Sequence, residues 1–284
     1  MLVTGGSGGI GRACVERFAR EADWTVWFTY RNGRDRAEEL VRELALTGRA
    51  KVEAFPFDQG DWEDHERLLD RIPGPVDVLV NNAAVGSKSV EHYADGARHD
   101  MASAFFQINA VGPLWLIEQL VPGMLERGYG KIINISSVGG GISQFPGFHP
   151  ADGMSKAALT YLTRHLAAEL VHTPVQVFAL CPGAVETTMF RASTLDKLSP
   201  EELAAFTARL PQGRLIRSEE IAEQVRWLAG EYSAALHGAV IDASMGLGVN
   251  PGLFTGAAQA PAPVPAPAGA PAAAGTAPAA GRYR

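Results

Sequence analysis

The run Thr4-Gly5-Gly6-Ser7-Gly8-Gly9-Ile10-Gly11 sits between a short apolar stretch and a helical pattern. Glycine lets a chain turn tightly and approach a bound molecule more closely than any Cβ would allow. The helix predicted next, over 9–21, points free N–H groups and its positive end back at the turn. That geometry suits a pyrophosphate, and strand, turn and helix together form the context of a dinucleotide site. A second candidate lies at Asp152 and Lys156, an i, i+4 pair with the acid first, the order that favours an ion pair. Asp152 also falls where a helix is predicted to open, and aspartate is among the best N-caps. Helix dipole, capping N–H groups and a nearby ammonium all predict a carboxyl held below its ordinary range. Ser137, His149 and Asp152 raise a hydrolase triad as well, but no G-x-S-x-G elbow surrounds Ser137. His149, just before Pro150, reads as a surface-loop residue.

Such residues need rigid elements to hold them. Strand-like runs at 1–4, 24–30, 50–57, 76–81, 130–136, 174–180 and 238–243 alternate with helical patterns at 9–21, 33–47, 61–71, 99–127, 152–172 and 218–230. Alternation of this kind predicts an α/β fold, a doubly wound parallel sheet of about seven strands with helices on both faces. Ligands on such sheets bind outside the carboxyl ends of the strands, near the point where strand order reverses. The motifs fall at predicted strand ends. One domain is predicted over 1–254, followed by an Ala/Pro/Gly-rich tail over 255–284 whose composition cannot build a core.

The 284 residues are 46% hydrophobic and 20% charged, enough for one sizeable core. A net charge of −6 without a basic stripe argues against nucleic acid as a partner. No apolar stretch is long enough to span a bilayer and no secretory h-region opens the chain, so a cytoplasmic location is expected. Cys14 and Cys181 match no metal spacing and read as small core residues; no metal site is expected.

Taken in order, the motifs resemble the short-chain dehydrogenase/reductase family over residues 1 to about 250, a single-domain Rossmann-type fold. Thr4 to Gly11 is similar to its TGxxxGxG cofactor turn, which implies contacts from Thr4, Gly5, Ser7, Gly9, Ile10 and Gly11. Asp58, after Ala54-Phe55-Pro56-Phe57, resembles the aspartate that contacts adenine. Asn82, in Asn81-Asn82-Ala83-Ala84, resembles the NNAG strand end, with alanine in place of the glycine. Asn109 resembles the helix asparagine that holds a proton-relay water, and Ser137, closing Ile133-Asn134-Ile135-Ser136-Ser137, the catalytic serine. Lys156, in Met154-Ser155-Lys156, resembles the catalytic lysine that also binds the nicotinamide ribose. Pro182, Gly183, Val185 and Thr187 resemble the PG-x-V-x-T loop that touches the nicotinamide.

The second strand ends Phe28-Thr29-Tyr30-Arg31-Asn32-Gly33-Arg34, without the acid that would bind a ribose 2′-hydroxyl. Arginines there suit a 2′-phosphate, so NADP(H) is favoured over NAD(H), with Arg31 as the main contact.

One position departs from the resemblance. The family's proton-transfer tyrosine stands four residues before the lysine, and here that residue is Asp152. No tyrosine occurs anywhere in 138–156, and the interval from Ser137 to Asp152 is longer than the family's. Three readings follow: an NADP(H)-dependent oxidoreductase of a small hydrophobic or polyketide-like metabolite, drawing its proton from elsewhere; a redox-neutral dehydratase, isomerase or cyclase with Asp152 as base; or a non-catalytic NADP-binding partner. Residues 190–211, with Leu195, Leu198, Leu203, Phe206 and Leu210, read as an apolar substrate lid or as a helix packed on the core. The resemblance also implies a homodimer or homotetramer with a small-molecule substrate.

Overall fold

Strands β1 (Leu2–Val3), β2 (Thr25–Tyr30), β3 (Lys51–Pro56), β4 (Val78–Asn81), β5 (Gly130–Ile135), β6 (Val175–Pro182) and β7 (Val240–Ala243) form one parallel sheet in the order β3-β2-β1-β4-β5-β6-β7. These elements come from a computed structural model that describes residues 1–94, 98–145 and 149–250. Between the strands run α1 (Gly9–Ala19), α2 (Arg34–Thr47), α3 (Trp62–Arg71), α4 (Arg98–Phe106), α5 (Gly112–Glu126), α6 (Val138–Gly141), α7 (Pro150–Glu169), α8 (Thr188–Ser193), α9 (Pro200–Arg209) and α10 (Ser218–Leu228).

Alternation within the strands divides the core in two. Val3, Phe28, Val80, Ile133 and Phe178 face the layer containing α1, α2 and α10. Leu2, Trp27, Leu79, Ile132 and Val177 face the opposite layer, with Leu68, Leu116 and Met124 of α3 and α5. Burial on both faces explains why β6 is apolar apart from Gln176. β1 has two residues yet occupies the centre, pairing Leu2 with Trp27 and Leu79, and Val3 with Phe28 and Val80. Strand order reverses between β1 and β4, so the crevice at their carboxyl ends is the switch point.

The structure corrects the expected helices in three places. The pattern over 99–127 is helical from Arg98 to Glu126 but not uniformly α: a π turn, Gln107–Val111, lies between α4 and α5 with helical backbone on both sides. Pro113 opens α5 without an N–H to continue the ladder, and side chains from elsewhere hold the turn, as described below. The active-site helix starts at Pro150, not at Asp152, because proline suits the first helical position and His149 supplies the cap. α9 buries none of its residues against the core; Leu195 and Leu210 on either side of it are the buried ones. The expected tail at 255–284 lies outside the described residues.

Candidate active site

The glycine turn is fixed by the strand ends on either side of it. The Thr4 hydroxyl is fully buried and accepts from the N–H groups of Asn82 and Ala83 at 3.0 and 2.9 Å. The Asn82 amide donates back to the carbonyls of Thr4 and Gly5 at 2.9 and 3.3 Å. These bonds staple β1 to β4 at the switch point. Gly5 adopts φ +67°, and a Cβ on Gly11 would lie 2.3 Å from the Gly5 carbonyl oxygen. Both glycines are therefore required by the turn itself. Gly8 differs: a Cβ there would meet nothing within 4 Å, and no side chain caps the α1 N-terminus. An open approach to uncapped N–H groups fits a pyrophosphate.

The loop after β6 closes the crevice from the other side. Val185 is buried and bridges to Ile216, while Gly183 packs on Ser244. Thr187 caps α8, accepting from the Phe190 N–H at 3.1 Å, and its methyl lies 3.1 Å from where Gly9 would carry a Cβ. Pro182 to Thr187 thus spans from the β6 terminus to the glycine turn.

At the carboxyl end of β2, the Arg31 guanidinium pairs with the Asp58 carboxylate at 2.8 Å and lies 3.6 Å above the Tyr93 ring centroid. Asp58 also accepts from the Gly60 N–H at 3.0 Å; Asp61, not Asp58, caps α3. Tyr93 was not apparent from the sequence. Nor was Arg36, whose guanidinium and the Ser7 hydroxyl would each lie 2.8 Å from a Cβ on Gly33; its place in the first turn of α2 is the only sequence signal for it.

The catalytic candidates converge on α6 and the first turns of α7. Ser137 caps α6, its hydroxyl accepting from the Gly139 N–H at 3.2 Å. Gly140 lets α6 pack closely, since a Cβ there would lie 2.5 Å from the Lys156 Cβ. Ser136 donates to the Lys156 carbonyl at 2.8 Å. Ser137 is thereby held beside the Asp152–Lys156 turn. Asn109, from the π turn, is fully buried and spends its carboxamide on the Val85 backbone and the Ser155 hydroxyl. Its side chain braces the π turn against α7 and the Val85 backbone.

Asp152 overturns three expectations. It stands inside the first turn of α7, while the Nδ1 of His149 accepts from the Ala151 N–H at 3.2 Å and caps the helix. His149 is half-buried and stacked on Phe105 at 5.5 Å, not a loop residue in solvent. The Asp152 carboxylate forms no hydrogen bond and no ion pair within 4.0 Å among the described residues, because the Lys156 amine donates to the Ile135 carbonyl at 3.2 Å. Burial then pushes the Asp152 carboxyl above its ordinary range, and the charge of Lys156 only partly opposes this. The same burial moves the Lys156 amine downward, opposed by Asp152.

This constellation of glycine turn, strand-end asparagines and a lysine helix agrees with the comparison to known proteins. A family model described as Enoyl-(Acyl carrier protein) reductase matches residues 5–248. The chain belongs to the short-chain dehydrogenase/reductase family. Its members include the acetoacetyl-CoA reductase of Allochromatium vinosum, 32% identical over 256 residues, covering 89% of this chain and 97% of the relative. An actinorhodin polyketide ketoreductase variant solved with NADPH superposes with a TM-score of 0.76 at 32% identity, covering 87% of this chain and 96% of that one. A 3-oxoacyl-[acyl-carrier protein] reductase from Brucella melitensis with bound NAD gives a TM-score of 0.74 at 28% identity, covering 86% and 89%. The short-chain dehydrogenase/reductase assignment accounts for the sheet order and the crevice at the switch point. It places the chain among oxidoreductases of small molecules. No helix among the described residues is long and apolar enough to cross a membrane.

Proposed function

We propose that this short-chain dehydrogenase/reductase is an NADP(H)-dependent reductase of a carbonyl on a small hydrophobic or polyketide-like metabolite, with Asp152 as the proton-handling group. The observation that carries the reading is the half-buried Asp152 carboxyl, without a hydrogen-bond or ion-pair partner among the described residues and set beside Lys156 on the helix that packs against Ser137. Relatives named as ketoacyl-type reductases supply the substrate class.

The turn from Thr4 to Gly11 and the uncapped start of α1 would hold the pyrophosphate. Asp58 and Asn82 would flank the adenosine half, and Arg31 the 2′-phosphate. Residues Pro182, Gly183, Val185 and Thr187 would line the nicotinamide. NADPH, when bound, supplies the hydride. For the substrate oxygen, Ser137 is the orienting donor: its lone pair takes the Gly139 N–H, leaving the O–H proton free. Asp152 gives that oxygen its proton, and burial serves the task by bringing the carboxyl closer to the working pH. Lys156 would bind the ribose once its amine leaves the Ile135 carbonyl. The segment 190–211 would cover the substrate, and the exposed Met154 and Tyr161 on α7 would lie in a homodimer or homotetramer contact. The second reading, a redox-neutral enzyme with Asp152 as base, draws on the same carboxylate's freedom from hydrogen bonds.

The test is NADPH binding by fluorescence, then NADPH consumption with a carbonyl panel that includes acetoacetyl-CoA. Wild type should consume NADPH, and Asp152→Asn should lower the rate at least about 100-fold. Binding without turnover in wild type, together with turnover gained by Asp152→Tyr, would refute the reductase and leave the redox-neutral enzyme or the non-catalytic binder.

A further inference from the structure

We propose that Gln59 is a positioning residue of this active site: it fixes the π turn carrying Asn109 and, through Asn109 and Ser155, the helical turn carrying Asp152. The inference rests on Asp152 being the proton-handling group.

Gln59 follows Asp58 at the end of β3 and is 4% exposed. Its side-chain amide donates to the Ala83 carbonyl at 2.9 Å and to the Ile108 carbonyl at 2.7 Å. Ala83 belongs to the strand end that builds the glycine turn; Ile108 immediately precedes Asn109. The backbone of Gln59 is held in turn. His65, fully buried between Phe57 and Trp115, has its Nε2 3.0 Å from the Gln59 carbonyl. A Cβ on Gly112 would lie 2.3 Å from that same oxygen, so glycine there allows the π turn to come this close. Gln107 donates to the Gly60 carbonyl at 3.2 Å. The loop after β3 therefore grips the π turn at both ends.

On the far side the chain of bonds continues to the active site. Asn109 donates to the Ser155 hydroxyl at 3.1 Å, and Ser155 donates to the Asp152 carbonyl at 2.8 Å. Asn109 and Ser155 are both fully buried, so no water substitutes for a lost partner. A π turn holds one residue more than the helical ladder accommodates, and outside side chains must satisfy the carbonyls it frees. Without Gln59 the carbonyls of Ala83 and Ile108 lose their donor. The turn then gains by relaxing toward α geometry, which rotates Asn109 by roughly 100° about the helix axis. Asn109 would leave Val85 and Ser155, and the Asp152 turn would lose its brace.

The experiment compares wild type with Gln59→Leu, which keeps the apolar stem and removes both donors, and with Ser155→Ala, which cuts the far link. Readouts are thermal melting, NADPH binding by fluorescence, deuterium exchange of peptides covering 105–112 and 149–157, and kcat and KM with acetoacetyl-CoA as probe. Gln59→Leu should melt cooperatively and bind NADPH within about threefold of wild type. Exchange should rise at least about tenfold in both peptides, and kcat should fall at least about tenfold. Ser155→Ala should accelerate exchange in 149–157 while sparing 105–112. Unchanged exchange in 149–157 in either variant overturns the proposal, and so does a Gln59→Leu chain that fails to melt cooperatively, which would make Gln59 a residue of the fold as a whole. Exchange does not depend on turnover, so a wild type that consumes no NADPH would count against the reductase reading alone.

Discussion

Asp152 and Lys156 lie one helical turn apart on α7, yet the lysine amine donates to the Ile135 carbonyl at 3.2 Å and leaves the carboxylate without a partner among the described residues. Spacing alone favours a pair. The fold instead gives the amine a carbonyl acceptor on β5 and leaves the carboxyl half-buried, where ionisation costs free energy.

That cost has a sign that melting experiments read. A carboxyl whose folded value lies above its unfolded 3.8 destabilises the fold once it ionises. The penalty is absent below about pH 3.8 and complete above the raised folded value. Asp152→Asn is expected to melt higher than wild type at neutral pH, with the gap closing as pH falls toward the unfolded value. Melting curves across that range decide it; equal melting at neutral pH would mean the carboxyl carries no burial penalty.

Arg31 is expected to read the 2′-phosphate. In the structure its guanidinium rests on Asp58 and Tyr93, so it is already ordered at the carboxyl end of β2. Hydrogen bonds to a charged group contribute about 1.5–3 kcal/mol. Arg31→Ala should therefore raise the Kd for NADPH roughly 10- to 100-fold and change that for NADH by less than about threefold. Fluorescence titration with both nucleotides checks this. A parallel loss for the two would assign Arg31 to the adenosine scaffold instead.

Two glycines of the first turn should separate folding from binding. A Cβ on Gly11 meets the Gly5 carbonyl at 2.3 Å, so Gly11→Ala should lower the melting temperature and abolish NADPH binding together. A Cβ on Gly8 meets no protein atom within 4 Å, and its φ of −167° suits alanine. Gly8→Ala should melt like wild type while binding NADPH roughly tenfold more weakly, because it intrudes where the backbone must approach the ligand. Unaltered affinity would move the pyrophosphate away from Gly8.

Away from the site, Glu21 joins α1 to α10. It accepts from Arg226 at 2.7 Å and from Arg17 at 2.6 Å, and the Arg226 bonds lead in lowering its pKa from 4.5 to about 2. Its stabilisation is present above pH 4.5 and is lost as pH falls through about 2. Discounted for partial exposure, Glu21→Gln should cost about 1–2 kcal/mol at neutral pH. Denaturant titrations at neutral and strongly acid pH should show that difference shrinking in acid.

Much of this was legible in the sequence. Six of the seven strands fall within the predicted runs and β6 overruns its run, 174–180, by Cys181 and Pro182, because residues buried on both faces of a parallel sheet are mostly apolar whatever surrounds them. The glycine turn was legible for a similar local reason. The π turn inside the 99–127 helix was not: Gln59 and Ile108 are 49 residues apart, and nothing near either position announces that one carboxamide will take up a carbonyl of the other's helix. Tyr93 under Arg31 is illegible for the same reason, since only folding brings the β2 end to the segment after β4.

The sequence by itself determined the α/β order, the glycine turn after the first strand and the aspartate four residues before Lys156, all of which follow from residue type and near-neighbour spacing. The tertiary structure alone decided the state of Asp152. Local rules predicted a capped, paired and lowered carboxyl; packing gave the cap to His149, the lysine to Ile135, and the carboxylate a raised pKa. The reason is that solvation depends on every segment packed around a group, whereas periodicity and spacing report only what lies along the chain.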